Sequence, residues 1–420
     1  MKVLLRAATI YNSQSPFHLQ HKHILVENGT IAYIGADEPE ADKVVEAEGL
    51  CVSGGWMDLH AYVGEPGHEY KEDIQSIAAA ASKGGFTEVL CLPNTNPVLQ
   101  TKGAVNYLKS HSAYLPVTLH PVAAATVDTE GKDLTEMIDL YQAGAVAFSD
   151  GTKPLQGADV ILKALQYVQL FDGLLMNKPE NTRLTEHGQM HEGITSTQLG
   201  MKGIPALAEE VAITRDLQLL AYTGGKMHFS LVSTAASVEA IRKAKAQGLQ
   251  VTCDVASYQA IFIDENIMPF DTNYKVAPPF RSQADADAIK QGLLDGTIDA
   301  LVSAHMPQDT ESKKLEFDLA DFGIINLETA FAVANTAFSG ALSTELLIDK
   351  FVTGPRAILG RPVPVIKEGE AANLTLFQPD QTWVPMEAET LSKSKNSPFY
   401  GKELKGRVLG IIHKGQVVLH

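Results

Sequence analysis

The first fifty residues alternate apolar and polar positions at a period of two, the pattern of half-buried strands. His23–Gly35, "HILVENGTIAYIG", is two such runs joined by Asn28-Gly29. That pair suits the positive φ angles of a two-residue turn and predicts a hairpin. After Gly54 the rhythm changes to short apolar runs separated by helical patterns. "GGWMDLH" predicts a strand, "DIQSIAAAASK" a helix of strong formers stopped by Gly84-Gly85, and "EVLCLPN" the next strand. Further strands are predicted at "VTLHPVAA", "AVAFSD", "LLMN", "MHFSLV", "QVTCDVA" and "DALVSAH", with helices such as "IPALAEEVAITRDLQLLA" and "SVEAIRKAKAQG" between them. Eight strand–helix units close a parallel barrel with its helices outside. The Val, Leu and Ile content of several strands suits burial on both faces. Past about residue 360 the chain returns to strands at "AANLTLFQP" and "GRVLGIIHKGQVVLH". The fold class is therefore α/β: a (β/α)8 TIM-type barrel over 54–360, with a small β-sandwich domain made from 1–53 and 361–420.

Composition narrows the function. The chain has 420 residues, of which 45% are hydrophobic and 20% charged, enough material for a large core. A formal net charge of −16 argues against nucleic acid or anionic lipid as a partner, since both demand basic patches. Arg6 interrupts the apolar start "MKVLLRAATIY", and no run approaches the ~18 apolar residues of a membrane span. The expected location is the cytoplasm. Cys51, Cys91 and Cys253 are few, odd in number and widely spaced, so they predict buried small hydrophobes and no disulfide framework.

Chemistry in such a barrel sits at the C-terminal ends of its strands. At the first of these, "DLHAYVGEPG" holds His60 and then Tyr62, where a His-x-His pair would clamp a metal ion. The blocks "GEPGHEYKEDI", "GGFTEVLCLPNTNPV", "GAVAFSDG", "LGMKGIPALAEE", "YKVAPPFRS", "GLLDGTIDALVSAHMP", "FGIINLETAF" and "SKSKNSPFYGKELKGRVL" follow in order along essentially the whole chain. Together they resemble the class I bacterial dihydroorotases of the cyclic amidohydrolase superfamily.

The resemblance implies a zinc site, and this chain departs from it residue by residue. His60 matches one ligand of the first strand end and Tyr62 replaces the other, a phenol of ordinary pKa ~10. Asp150 in "FSDG" matches an acidic ligand. Asn177 and Leu231 stand where ligating histidines are implied, and Ala304 where an aspartate both binds metal and shuttles a proton. In the substrate pocket Gly64 replaces a carboxylate-clamping arginine, Ala277 an asparagine and Gln308 a histidine. Asn94 and the pair Phe322-Gly323 still match.

A catalytic zinc needs about three protein ligands and an open water position. His60 and Asp150 are two. Period-two alternation turns His305 away from the axis if Ala304 faces it, and His228 lies deeper in the barrel. Each remnant also has an ordinary structural reading: His60 as a hydrogen-bonded core histidine, Asp150 as a carboxylate wetted at the mouth, Asn94 and Asn96 as turn formers. His18, His21 and His23 read as exposed surface, and His187 and His191 as loop polarity. The resulting expectation is a catalytically degenerate member with no cofactor and a structural or regulatory role. The partners it implies are a second copy in a homodimer and aspartate transcarbamoylase. The alternative is an active zinc-dependent dihydroorotase interconverting dihydroorotate and N-carbamoyl-aspartate.

Overall fold

The computed structural model describes residues 1–420. Its eight barrel strands are Trp56–Ala61, Phe86–Cys91, Thr118–Ala123, Ala147–Phe148, Leu175–Asn177, Met227–Phe229, Val251–Ala256 and Ala300–Val302, hydrogen-bonded in that order. Every neighbouring pair runs parallel. The barrel closes where Ala61 bridges to His305 and the Tyr62 amide donates to the His305 carbonyl at 2.9 Å. Two predicted strands are shorter than their apolar runs. After Phe229 the Asp254 carboxylate takes the Leu231 amide, and after Phe148 the Asp150 carboxylate turns to Thr126.

The helices form where the periodicity placed them. Ile74–Lys83 begins at Asp73, whose side chain accepts from the Ser76 amide and returns a capping box, and it stops at Gly84. Leu207–Thr223 and Ala235–Ala246 fill the two longer helical patterns. Asn28 (φ 50°) and Gly29 (φ 82°) make the hairpin turn that joins His21–Glu27 to Thr30–Gly35.

Both chain ends build a second, separate eight-stranded sheet, in which Cys51–Gly54 pairs with Leu374–Trp383 and with Lys2–Tyr11. It carries its own core of 16 buried residues. Trp56 joins this domain to the barrel. It is fully buried, its Nε1 donates to Ser53 Oγ at 2.9 Å, and it packs on Phe86, Phe331, Phe351 and Phe377. The three cysteines are free and buried, as expected.

The foot of the barrel is held by a buried charge network. Arg356, on the last long helix, Thr344–Ile358, donates to Glu88 Oε1 at 2.6 Å, and His120 Nε2 lies 2.8 Å from Glu88 Oε2. Burial opposes the Glu88 charge, but the His120 hydrogen bond and the Arg356 guanidinium overcome it and hold the carboxyl well below its usual range. At the other end, the segment after the Leu374–Trp383 strand crosses back to the mouth. There Glu72 accepts from Ser392 Oγ and the Lys393 amide, and Asn396 Nδ2 donates to the carbonyls of Met306 and Gly323 at 3.0 and 3.1 Å. No helix is long and apolar enough to cross a membrane.

Candidate active site at the barrel mouth

Strand ends and their loops enclose a pocket of about 500 Å³. His60, Tyr62, Asn94, Leu231, Ala277, Ala304, Gln308, Phe322 and Gly323 all line it, so nine of the positions singled out in the sequence converge on one cavity. Tyr62 is part of that lining. Burial raises its phenol pKa, so it is neutral at ordinary pH.

His60 differs from expectation. It is 3% exposed and lines the pocket, yet its Nδ1 is buried without any hydrogen-bond partner. The reading of a satisfied core histidine is therefore wrong. Burial lowers its pKa to about 4, assisted by the nearby Lys178 charge and opposed by Asp254, so the ring is neutral at ordinary pH. Leaving a buried polar atom unsatisfied costs about 1–3 kcal/mol.

Asp150, expected to be wetted at the mouth, is instead buried and outside the pocket lining. Its two oxygens accept from the amide and hydroxyl of Thr126. Burial pushes its pKa up against those bonds. Asn177 is turned away as well: its Nδ2 donates to Asp216 at 2.8 Å and its Oδ1 accepts from the Leu155 amide at 3.0 Å. Leu231 (φ 60°) and Ala304 (φ 49°) both take the left-handed backbone conformation that non-glycine residues disfavour. The Leu231 amide is held there by Asp254 Oδ1 at 2.6 Å, and Asp254 Oδ2 pairs with the deeply buried His228. His305 points outward, sharing hydrogen bonds with Glu72 and with the Asn326 amide.

Asn94 works within the wall. Its Nδ2 donates to the Asp150 carbonyl and its Oδ1 accepts from the Thr152 amide. Gly64 has φ 75°, and a Cβ there would press on the carbonyl oxygens of Glu72 and His68.

The sequence reading missed the cations. Lys71, Lys153, Lys178 and Arg281 line the pocket against only two carboxylates, Glu180 and Glu209. Lys178 pairs with Glu180 at 2.8 Å; Arg281 is buried beside Glu209 and bonded to Ser233 Oγ and the Ile204 carbonyl. In a chain of net charge −16 this basic mouth is a local inversion of sign. The signal was available: Lys178 directly follows Asn177 at a strand end, the place where barrel chemistry gathers.

The residues present do not fit a divalent cation. No three His, Cys, Asp or Glu side chains come together as a ligand set. His60 is the one free donor of those types on the pocket floor, the Asp150 carboxylate is spent on Thr126, and Leu231 and Ala304 offer no donor atom.

A family model described as "Dihydro-orotase-like" matches residues 49–237. Proteins named dihydroorotase from Pelotomaculum thermopropionicum and Syntrophus aciditrophicus are 39% and 38% identical, each aligned over all of this chain and 99% of its own length. The chain belongs to the dihydroorotase-like family. Among solved structures, an L-hydantoinase from Arthrobacter aurescens superposes with a TM-score of 0.87 at 23% identity, covering all of this chain and 96% of its own, which supports the amidohydrolase barrel with its separate β domain. The expectation of a non-catalytic chain is overturned by these relatives, which carry the dihydroorotase name at 38–40% identity over 94% or more of both chains. That expectation rested on the combined loss of metal-ligand and substrate-binding residue types. The basic pocket that the same strand ends build was invisible to it.

Proposed function

We propose that this chain hydrolyses and re-forms a cyclic amide bearing a carboxylate, interconverting dihydroorotate and N-carbamoyl-aspartate. One observation carries the reading: full-length similarity to proteins named dihydroorotase, with the pocket-lining positions of the family pattern gathered in one cavity. In the ring-opening direction a water oxygen adds to the ring carbonyl, the carbon–nitrogen bond breaks, and the departing nitrogen takes a proton.

The chain's own residues supply binding and charge. The His60 ring lines the pocket as a neutral imidazole. Lys178, kept in place by Glu180, sets a positive charge near that ring, where it stabilises negative charge growing on the carbonyl oxygen. The metal-ligand misfit means that no step is routed through a metal.

The test is direct. Purified full-length protein is given dihydroorotate, and separately N-carbamoyl-aspartate, after chelation and with added zinc or manganese, and both compounds are followed by chromatography. Turnover of ~1 s⁻¹ or faster supports the proposal. No conversion in either direction under any of these conditions overturns it.

A further inference from the structure

We propose that Lys71 is the residue that selects a carboxylate-bearing ring over a neutral one, an inference that rests on the function proposed above. The argument begins at Gly64. Its left-handed φ of 75° and the carbonyls of Glu72 and His68 packed against its α-carbon leave no room for a side chain, so no cation reaches the pocket from that position. Lys71 lies on the same loop and does reach it.

Its placement is built. The Lys71 amide donates to the His68 carbonyl at 2.9 Å, and its own carbonyl accepts from Ser394 Oγ at 2.7 Å, so both sides of its backbone are anchored. The ammonium donates to Gln308 Oε1 at 2.6 Å. Gln308 cannot flip freely, because its Nε2 donates to the Phe322 carbonyl at 2.7 Å and its own amide donates to Asn396. A buried amide, pinned at its other end, thus aims the ammonium.

The charge is only weakly spent. The carboxylate beside it, Asp321, is 3.4 Å away and 52% exposed, a geometry worth little in water. An ammonium has three donors, and one remains for the cavity. Lys178 and Arg281 are committed to Glu180 and Glu209, so they do not serve the same end. A ligand carboxylate satisfies that remaining donor.

Titration calorimetry with L-dihydroorotate and with dihydrouracil, the same ring without its carboxylate, separates the possibilities. In the wild type dihydroorotate is expected to bind at least ~10-fold tighter, the effect of one charge-assisted contact. K71M and K71Q should abolish that preference and leave dihydrouracil affinity unchanged. K71R should keep most of it, and K163M, a change at an exposed helix lysine outside the pocket, should keep all of it. Thermal unfolding of each variant reports its folding. A preference that survives in folded K71M or K71Q overturns the Lys71 assignment while the proposed function stands. Failure of the wild type to bind either ring overturns both.

Discussion

Thr126 donates its backbone amide to one carboxylate oxygen of Asp150 at 2.8 Å and its hydroxyl to the other. The acidic residue that family resemblance marks as a metal ligand is here a brace between two loops of the barrel mouth. Removing it leaves the buried Thr126 amide without an acceptor, at a cost of about 1–3 kcal/mol. Asp150→Ala should lose that much stability in urea unfolding. Its affinity for dihydroorotate should stay within about threefold, or ~0.7 kcal/mol, of wild type.

Leu231 and Ala304 line the pocket with His60 and already hold the left-handed backbone of their strand ends. Only their side chains lack donors. The paired substitution Leu231→His with Ala304→Asp adds two, giving about the three protein ligands a zinc centre requires. Zinc titration followed by elemental analysis should show at least ~10-fold tighter uptake than wild type, since two added ligands contribute well over 1.4 kcal/mol.

The foot of the barrel depends on Arg356, which is 1% exposed. Arg356→Met strips Glu88 of its guanidinium and leaves a buried carboxylate with His120 and a long contact from Asn373. Breaking one partner out of a buried pair costs about 3–5 kcal/mol. Chemical denaturation should show a loss of that size, and the pocket, at the opposite end of the strands, should bind its ligands unchanged in the protein that remains folded.

Lys313 is buried behind the loop that presents Phe322 and Gly323, with its ammonium donating to the carbonyls of Asp321 and Gly323 at 2.8 and 3.2 Å. Burial lowers its pKa to about 7, and the neighbouring Lys275 charge adds to the effect. The native state therefore sheds a proton above about pH 7 that the unfolded chain keeps to about 10.5. Stability linked to Lys313 rises with pH across that window, and the cost of its charge is present in full below it. Between pH 7 and 9.5, wild type should gain roughly 1–3 kcal/mol relative to Lys313→Met, as read from unfolding midpoints at the two pH values.

Much of the fold was legible because it rests on local pattern. Asn28-Gly29 marks its hairpin by backbone conformation, and the apolar runs from Trp56 to Val302 mark the strands by continuous burial. The site was legible in part. Position along a strand predicted that His60, Tyr62, Leu231 and Ala304 would meet, and they do. It could not predict that Asp150 turns to Thr126, that Asn177 turns to Asp216, or that His60 is left without a partner. Those outcomes depend on which hydrogen-bond partner lies within about 3 Å once the loops pack.

Sequence alone determined the strand and helix order, the barrel with its two-ended β domain, and the family, since these follow from periodicity and from motif order along the chain. Tertiary structure alone decided the character of the mouth. Residues as distant as Lys71, Lys178 and Gln308 share one cavity there, and a side chain's charge and free valences have meaning only against the neighbours that compete for them.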